Sequence, residues 1–539
     1  MAVKINFNEA AAKTHTALII NERAMNKSLL RLSTGYRILS AADDSAGLFI
    51  ADMLGTVAAA LDQGNANIQT GISALQIAET NAGQIYTKLQ EIYIRAQRAA
   101  NDINDPNARN ALQSEINNFI DAIQKIATDT EYNGIKLLDG TFSSKYIHYG
   151  ARRNQRVTIS ISSLKATDLG AYTATGTGQS TAVTSATTDA FSTWIQNQSD
   201  YWVAAGEYLQ VNGIAVQGDS GKIVDASVIA NNINNNDTLV AQGIEATATN
   251  TSTADTAFDK IGDITIKGSA TNSSATVNLV LNFYVGNDTT VDFSLTSTSV
   301  TVSGTNTSTG SLFNDIDDLI SQINTAASNN DVEITATESD DGKLILTTTN
   351  GETIGIEAKL NVTVSNTASI TAVINLDQLI EGASSVTYTN ASLTANTTQY
   401  VHAVKVGDLT IGGIDNFTVS NNGLGALSGI TSVSRQSLYS IDVTSNTGAE
   451  LAILIVTKAL QKVDTIRSDI GATMNNLQAI YDAQKSAYDN TKEAESVIRN
   501  TDYAKEMSEF TSYQIRMQAT IAMLAQANTL PQLVLQLLR

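Results

Sequence analysis

An α+β chain is predicted, with a coiled-coil helical bundle formed by both chain ends, a β-hairpin beside it, and a central β-rich insert. Three observations lead there. Apolar and small residues recur at alternating steps of three and four near both termini. The middle turns to Thr, Ser, Asn, Val and Gly in short alternating runs, and Gly, Asn and Asp punctuate those runs where turns are needed. With 539 residues the chain has material for roughly two to four domains.

The composition narrows the function. Lysine plus arginine number 33 against 53 aspartate plus glutamate, a net charge of −20, so nucleic-acid backbones and anionic membranes are repelled. There are 0 cysteines, 3 histidines and 2 prolines, which removes disulfide frameworks and thiolate nucleophiles and leaves few metal ligands. No unbroken apolar run approaches the ~20 residues of a membrane span, the longest being of the length of Leu451–Val456. The first residues alternate polar and apolar and do not read as a cleavable secretory signal.

The first block runs from Met1 to about Leu169. A short seam at Leu18, Met25, Leu29 and Leu32 precedes a long one at Leu54, Val57, Leu61, Gly64, Ile68, Gly71 and Leu75, which continues through Ala78, Ala82, Ile85, Leu89, Ile92, Ala96 and Ala99. Asn104-Asp105-Pro106 stops that helix and starts another, because aspartate caps new amides and proline fits a first helical turn. The next seam is Leu112, Ile116, Phe119, Ile123 and Ile126. Strands Lys145–Tyr149 and Arg156–Ile161 then form a hairpin.

In the middle block, about Thr175 to Ser440, alternation in Lys343–Thr347 and Val362–Val364 predicts strands. Two stretches, Glu207–Ala248 and Ser311–Leu360, each place a short helix ending in Ile-Asn (Ile233-Asn234, Ile323-Asn324) before a strand, so a duplicated α+β unit is expected near 207–248 and 311–360. Trp194 and Trp202 are expected as small-core anchors. The last block returns to helix, with a seam from Val456 through Leu460, Val463, Ile466, Ile470, Met474 and Leu477 to Tyr481. A final seam follows at Tyr503, Met507, Phe510, Met517, Ile521 and Leu524, with Gln514 its one polar step and Pro531 beyond its end.

Leu32-Ser33-Thr34-Gly35-Tyr36-Arg37-Ile38-Leu39-Ser40-Ala41-Ala42-Asp43-Asp44-Ser45-Ala46-Gly47-Leu48 resembles the junction motif of bacterial flagellins, usually L-S-S-G-L-R-I-N-S-A-K-D-D-A-A-G-L. Thr130–Leu138 is similar to the family's T-x-F-N-G-x-K-L-L, Tyr149-Gly150-Ala151 with Asn154-Gln155 to its hairpin turn, and Leu524–Arg539 to its carboxyl terminus. The likeness covers roughly the first 170 and last 90 residues.

The resemblance implies a secreted, extracellular filament subunit that serves swimming, exported unfolded through the flagellar secretion channel and polymerised at the tip. Its implied partners are further copies of itself, hook–filament junction proteins, the filament cap protein and an export chaperone at the C-terminal helix. It implies three regions: a filament-core domain from 1–44 with 500–539, a rod domain with the hairpin from 45–174 with 441–499, and outer domains from 175–440. Subunit contacts are expected at Leu18, Met25, Leu29, Leu32, Arg37, Leu39, Asp43, Asp44 and Phe49, and at Met507, Phe510, Met517, Ile521, Leu524, Leu533, Leu535 and Leu538. Leu39, Phe49 and Leu533 replace smaller or more polar residues of the family pattern and are expected to strengthen those contacts.

One departure concerns a surface that animal hosts read through a Toll-like innate receptor, usually L-Q-R-V-R-E-L-A-V-Q. Here Gln90, Glu91, Tyr93, Ile94 and Arg95 occupy it, with Glu91 in place of an arginine, so weak or absent receptor activation is expected. No catalytic constellation and no cofactor site is read. His15, His148 and His402 share no ligand spacing, and Asp43-Asp44 belongs to the junction motif. Asn-x-Ser triplets such as Asn197-Gln198-Ser199 are expected from composition alone. The rival readings are a hook–filament junction protein and a surface adhesin with a glycan-binding insert.

Overall fold

The structure is a computed structural model describing residues 7–101, 105–311 and 313–537, with side chains as far as residue 529. Its helices are α1 (Glu9–Thr34), α2 (Ser45–Ala99), α3 (Pro106–Asp129), α4 (Phe191–Gln196), α5 (Ala226–Asn234), α6 (Asp237–Ala241), α7 (Ile316–Asn329), α8 (Asn446–Arg499) and α9 (Tyr503–Leu537). Two compact units emerge: residues 1–83, 129–162 and 466–539 form one, and residues 84–128 and 163–465 the other.

In the first unit α1 begins at Asn8, whose side chain accepts the Ala11 N–H at 3.0 Å. It ends at Gly35, where a φ of +74° lets the backbone N–H turn back to the Arg31 carbonyl. α9 lies antiparallel against α1 and runs through Pro531 to Leu537. That corrects the placement of Pro531 beyond the helix: proline removes one amide donor and crowds the carbonyl four residues back, but does not oblige a helix to stop.

The long seam is buried as its period requires: Leu61, Ile68, Leu75, Ala78 and Ala82 all lie inside. Gly64 is small for a local reason. A Cβ there would stand 1.8 Å from the Tyr149 carbonyl oxygen, because the backbone of the hairpin Lys145–His148 and Arg156–Ile159 crosses α2 at that point. α2 contains a window with mean hydropathy of 1.4, which by length and composition alone is enough to cross a membrane. Its Asn65, Asn67, Gln69 and Thr70 lie between seam positions, the pattern of a packing helix.

In the second unit the later part of α2 buries Ile85, Leu89, Ile92 and Ala96, while α3 buries Leu112, Ile116, Ile120, Ile123 and Ala127. Phe119 and Ile126 are only half-buried, so the α3 seam runs one position away from the predicted one at Ile120 and Ala127. Asp105 caps α3, accepting the Ala108 N–H at 2.6 Å ahead of Pro106; Asn104 lies outside the described residues.

The insert holds two large antiparallel sheets. In one, Ser274–Val285 pairs along its whole length with Ile354–Ser365, which pairs in turn with Thr397–Lys405. In the other the order is Ile334–Glu338, Leu344–Thr348, Glu245–Thr253, Asp408–Gly413, Gly170–Gly178 and Leu427–Ser428. Every second residue of Ser274–Leu281 is buried, the period-2 pattern of a strand with one face on a core. Trp194 lies in a second core with Phe191, Leu209 and Ile229, and Trp202 packs half-buried against it.

The same local device occurs twice. Asp225 and Asp315 cap α5 and α7. Nine residues on, Asn234 and Asn324 each clamp a following strand: Asn234 donates to the Ala246 carbonyl and accepts its N–H, both at 2.8 Å, and Asn324 does the same to Ala336 at 2.9 and 2.7 Å.

Candidate functional site

The paired terminal helices and the break where they join α2 and α8 carry the chemistry of interest. On α1, Leu18, Met25 and Leu32 are half-buried and share one edge with Asn21 and Ser28, in steps of three and four. On α9 the matching edge is Glu506, Phe510, Tyr513, Met517, Thr520, Leu524 and Ala527. Polar rungs join the two edges. Asn8 Nδ2 donates to the Ala527 carbonyl at 2.9 Å, Asn21 Nδ2 to Thr520 Oγ1 at 3.2 Å, and Ser28 Oγ to Glu506 Oε1 at 2.5 Å. Arg31 stands 3.6 Å from the same carboxylate, which is therefore buried and partnered.

Three predicted seam residues lie elsewhere. Leu29 is 52% exposed, and Ser28 takes the position on the edge. Met507 and Ile521 are each 50% exposed, one residue away from Glu506 and Thr520. Apolarity alone selects Leu29, Met507 and Ile521; the structure selects by angle around the helix. A signal was available: Asn21 and Ser28 stand seven residues apart and in phase with Leu18, Met25 and Leu32. The side chains of Leu533 and Leu535, and all of Leu538, lie outside the described residues.

At the break both strands of the helix pair interrupt together. Tyr36 and Asn500 form a β-bridge, the Arg37 N–H donates to the Arg499 carbonyl at 2.8 Å, and the Thr501 N–H donates to the Gly35 carbonyl at 2.9 Å. The Arg37 guanidinium donates to the Ile498 carbonyl at 2.6 Å. Asp43 accepts the Leu39 and Ser40 N–H groups at 3.2 and 3.1 Å and pairs with Lys27 at 2.5 Å. The Lys27 hydrogen bond is the largest cause holding the Asp43 carboxyl down at about 2. Asp44 caps α2, accepting the Gly47 N–H at 2.8 Å. Each member of the aspartate pair thus has a structural task. Leu39 is half-buried, whereas Phe49 is 67% exposed beside the exposed Ile50 and Met53.

Apolar side chains remain uncovered on several sides of the helices. Leu29 and Leu30 on α1 and Met507, Ile515, Ile521 and Met523 on α9 are all at least 50% exposed. At about 100° per residue, Ile515, Ile521 and Met523 point in three different directions from the α1-facing edge.

Elsewhere, Gln90 and Ile94 are exposed, Tyr93 is half-buried, and Glu91 and Arg95 form an ion pair at 2.6 Å. His402 is buried, its Nε2 at 2.8 Å from the Asp189 carbonyl oxygen; His15 and His148 are exposed. No cluster of His, Asp or Glu among the described residues has the geometry to hold a metal ion.

Helical ends that pair with each other from opposite termini, while leaving apolar sides uncovered, define a helical protein with unpartnered apolar sides. Comparison with known proteins identifies which kind. The bacterial flagellin N-terminal helical region matches residues 5–143 and the bacterial flagellin C-terminal helical region matches residues 453–538. The flagellin of Aquifex aeolicus is 48% identical over 555 residues, covering 100% of both chains, and that of Aquifex pyrophilus is 48% identical over 545 residues, again covering 100% of both. Among solved structures, the flagellar junction protein FlgL from Legionella pneumophila matches 84% of this chain and 99% of its own at 11% identity and a TM-score of 0.31, too slight a likeness to bear on function. The chain belongs to the bacterial flagellin family. It is a structural subunit of the extracellular flagellar filament and not an enzyme.

Proposed function

We propose that the uncovered apolar sides of α1 and α9, with Leu39 and Phe49 at the break, are the surfaces on which copies of this chain pack into the filament, and that the ends complete their folding there. The observation that carries this is α9, which is apolar on several sides and covered by α1 on one. Ordering a helix costs ~1–2 kcal/mol per residue in backbone entropy, and the few half-buried apolar side chains on the α1–α9 edge return ~1.5–3 kcal/mol each at most. Neighbouring copies supply the missing burial for Met507, Ile515, Ile521 and Met523. A contact of this head-to-tail kind that does not close generates an open helix of subunits.

On this reading residues 1–44 with 500–539 build the filament core, 45–174 with 441–499 the surrounding rod, and 175–440 the outer domains with their two α+β units. Ends that finish folding only on assembly suit export in the unfolded state, and the apolar α9 is the segment an export chaperone shields beforehand. The junction and cap proteins meet the same surfaces at the filament's two ends.

The test is a chain lacking residues 500–539, examined by circular dichroism and sedimentation. A folded protein that stays monomeric is expected. Long polymers from it would overturn the proposal.

A further inference from the structure

The formal charge of −20 is not spread along the chain. Between Thr175 and Ser440 there are 26 acidic and 7 basic side chains, whereas the remainder holds 27 acidic and 26 basic. The helical ends are thus close to neutral, and the insert carries nearly all of the net charge. Within the insert the densest stretch is the α7 unit. Every carboxylate from Asp315 to Asp341 is exposed, and no lysine or arginine occurs among them.

The duplicated unit provides an internal control. Cap (Asp225, Asp315), clamp (Asn234, Asn324) and clamped residue (Ala246, Ala336) repeat at one constant offset. At that offset Asp317 stands where the first unit has Ser227, Asp331 where it has Ala241, and Glu338 where it has Ala248. The scaffold forms without those charges. Only Asp315 is matched by a carboxylate, and it is the one the helix cap uses. Of the other seven, Asp318 accepts from Gln322 and Glu333 from Asn350, each at 2.8 Å between exposed side chains, and none has a counterpart carboxylate in the first unit.

We propose that this exposed set of carboxylates is an electrostatic spacer: it keeps one assembled polymer from associating side by side with another and so confines association to the neutral helical ends. The inference rests on the filament reading above. Like charge on facing surfaces repels over a screening length of ~30 Å in ~10 mM salt and ~3 Å in ~1 M salt, so the spacing force fades as salt rises.

The experiment compares polymers of the full chain with those of a variant carrying Asp331→Asn, Glu333→Gln, Glu338→Gln, Asp340→Asn and Asp341→Asn, by electron microscopy and light scattering from ~10 mM to ~1 M NaCl. Circular dichroism of both monomers confirms that the fold is kept, and Asp317→Asn with Asp318→Asn provides a second, smaller variant. Polymers of the unaltered chain are expected to stay single at low salt and to bundle as salt rises, with the bundling threshold several-fold lower for the five-residue variant and intermediate for the two-residue one. An unchanged threshold, or bundling of neither chain at any salt, would overturn the spacer. If neither chain polymerises at all, the assembly reading itself fails and takes this inference with it.

Discussion

Arg95 lies between two carboxylates, Glu91 at 2.6 Å and Glu115 at 2.5 Å, with its guanidinium 4.6 Å from the centre of the Phe119 ring. These partners raise its already high pKa and hold it to its own chain. Glu91 stands where the resemblance places one arginine and Tyr93 where it places a second, so both positive anchors are gone, and the nearby Arg95 is engaged by its own chain. Weak activation of the innate receptor is expected in a reporter-cell assay, and a response as strong as that of a stimulatory flagellin would refute it. Asp225 shows the opposite electrostatic balance. Burial pushes its carboxyl up to about 7, although it accepts the Ser227 N–H at 2.9 Å. The native state therefore keeps a proton that the unfolded chain releases above ~4. Stability should fall as pH rises from ~4 towards 7, and Asp225→Asn, which retains the capping oxygen, should flatten that slope in denaturant titrations across the range.

At the scale of elements, seven residues of spacing decide which side chains meet. Leu18, Met25 and Leu32 lie on the α9-facing edge as their period requires, and Leu29 does not, because it follows Ser28 by one residue and ~100°. The Asn234 and Asn324 clamps work on another principle: a side-chain amide imitates a neighbouring strand and satisfies a backbone N–H and C=O together. Replacing either with alanine leaves both groups unmatched and should cost ~1–3 kcal/mol in urea unfolding. Asn232→Ala, which removes one exposed bond to the Gln217 carbonyl, is the control and should cost much less. Equal losses from all three would count against the clamp.

For the whole molecule, the insert's entry and exit lie on adjacent strands. Gly170–Gly178 pairs with Ser434–Ser437, Thr173 opposite Ser434, so the intervening chain leaves and returns at one place. A short hairpin turn in place of residues 175–432 matches that geometry. Such a chain is expected to keep its helical circular dichroism and still polymerise, as seen by sedimentation and microscopy. Retained helix with no polymer would show that the ends alone do not suffice for assembly.

The helical ends, the hairpin, the Asp105-Pro106 helix start and the family were all legible in the amino-acid sequence, because a helical seam, a cap and a turn are local patterns that a few residues specify. The partners in polar rungs such as Ser28 to Glu506 were not, since the phase of Asn21 and Ser28 places them on the edge but does not name the carboxylate 478 residues away that arrives beside Ser28. The insert's strands were readable one at a time from alternation. That Glu245–Thr253 lies between Leu344–Thr348 and Asp408–Gly413 was decided by the tertiary structure, because strand order depends on which apolar faces fit together across long stretches of chain, and no local period encodes that.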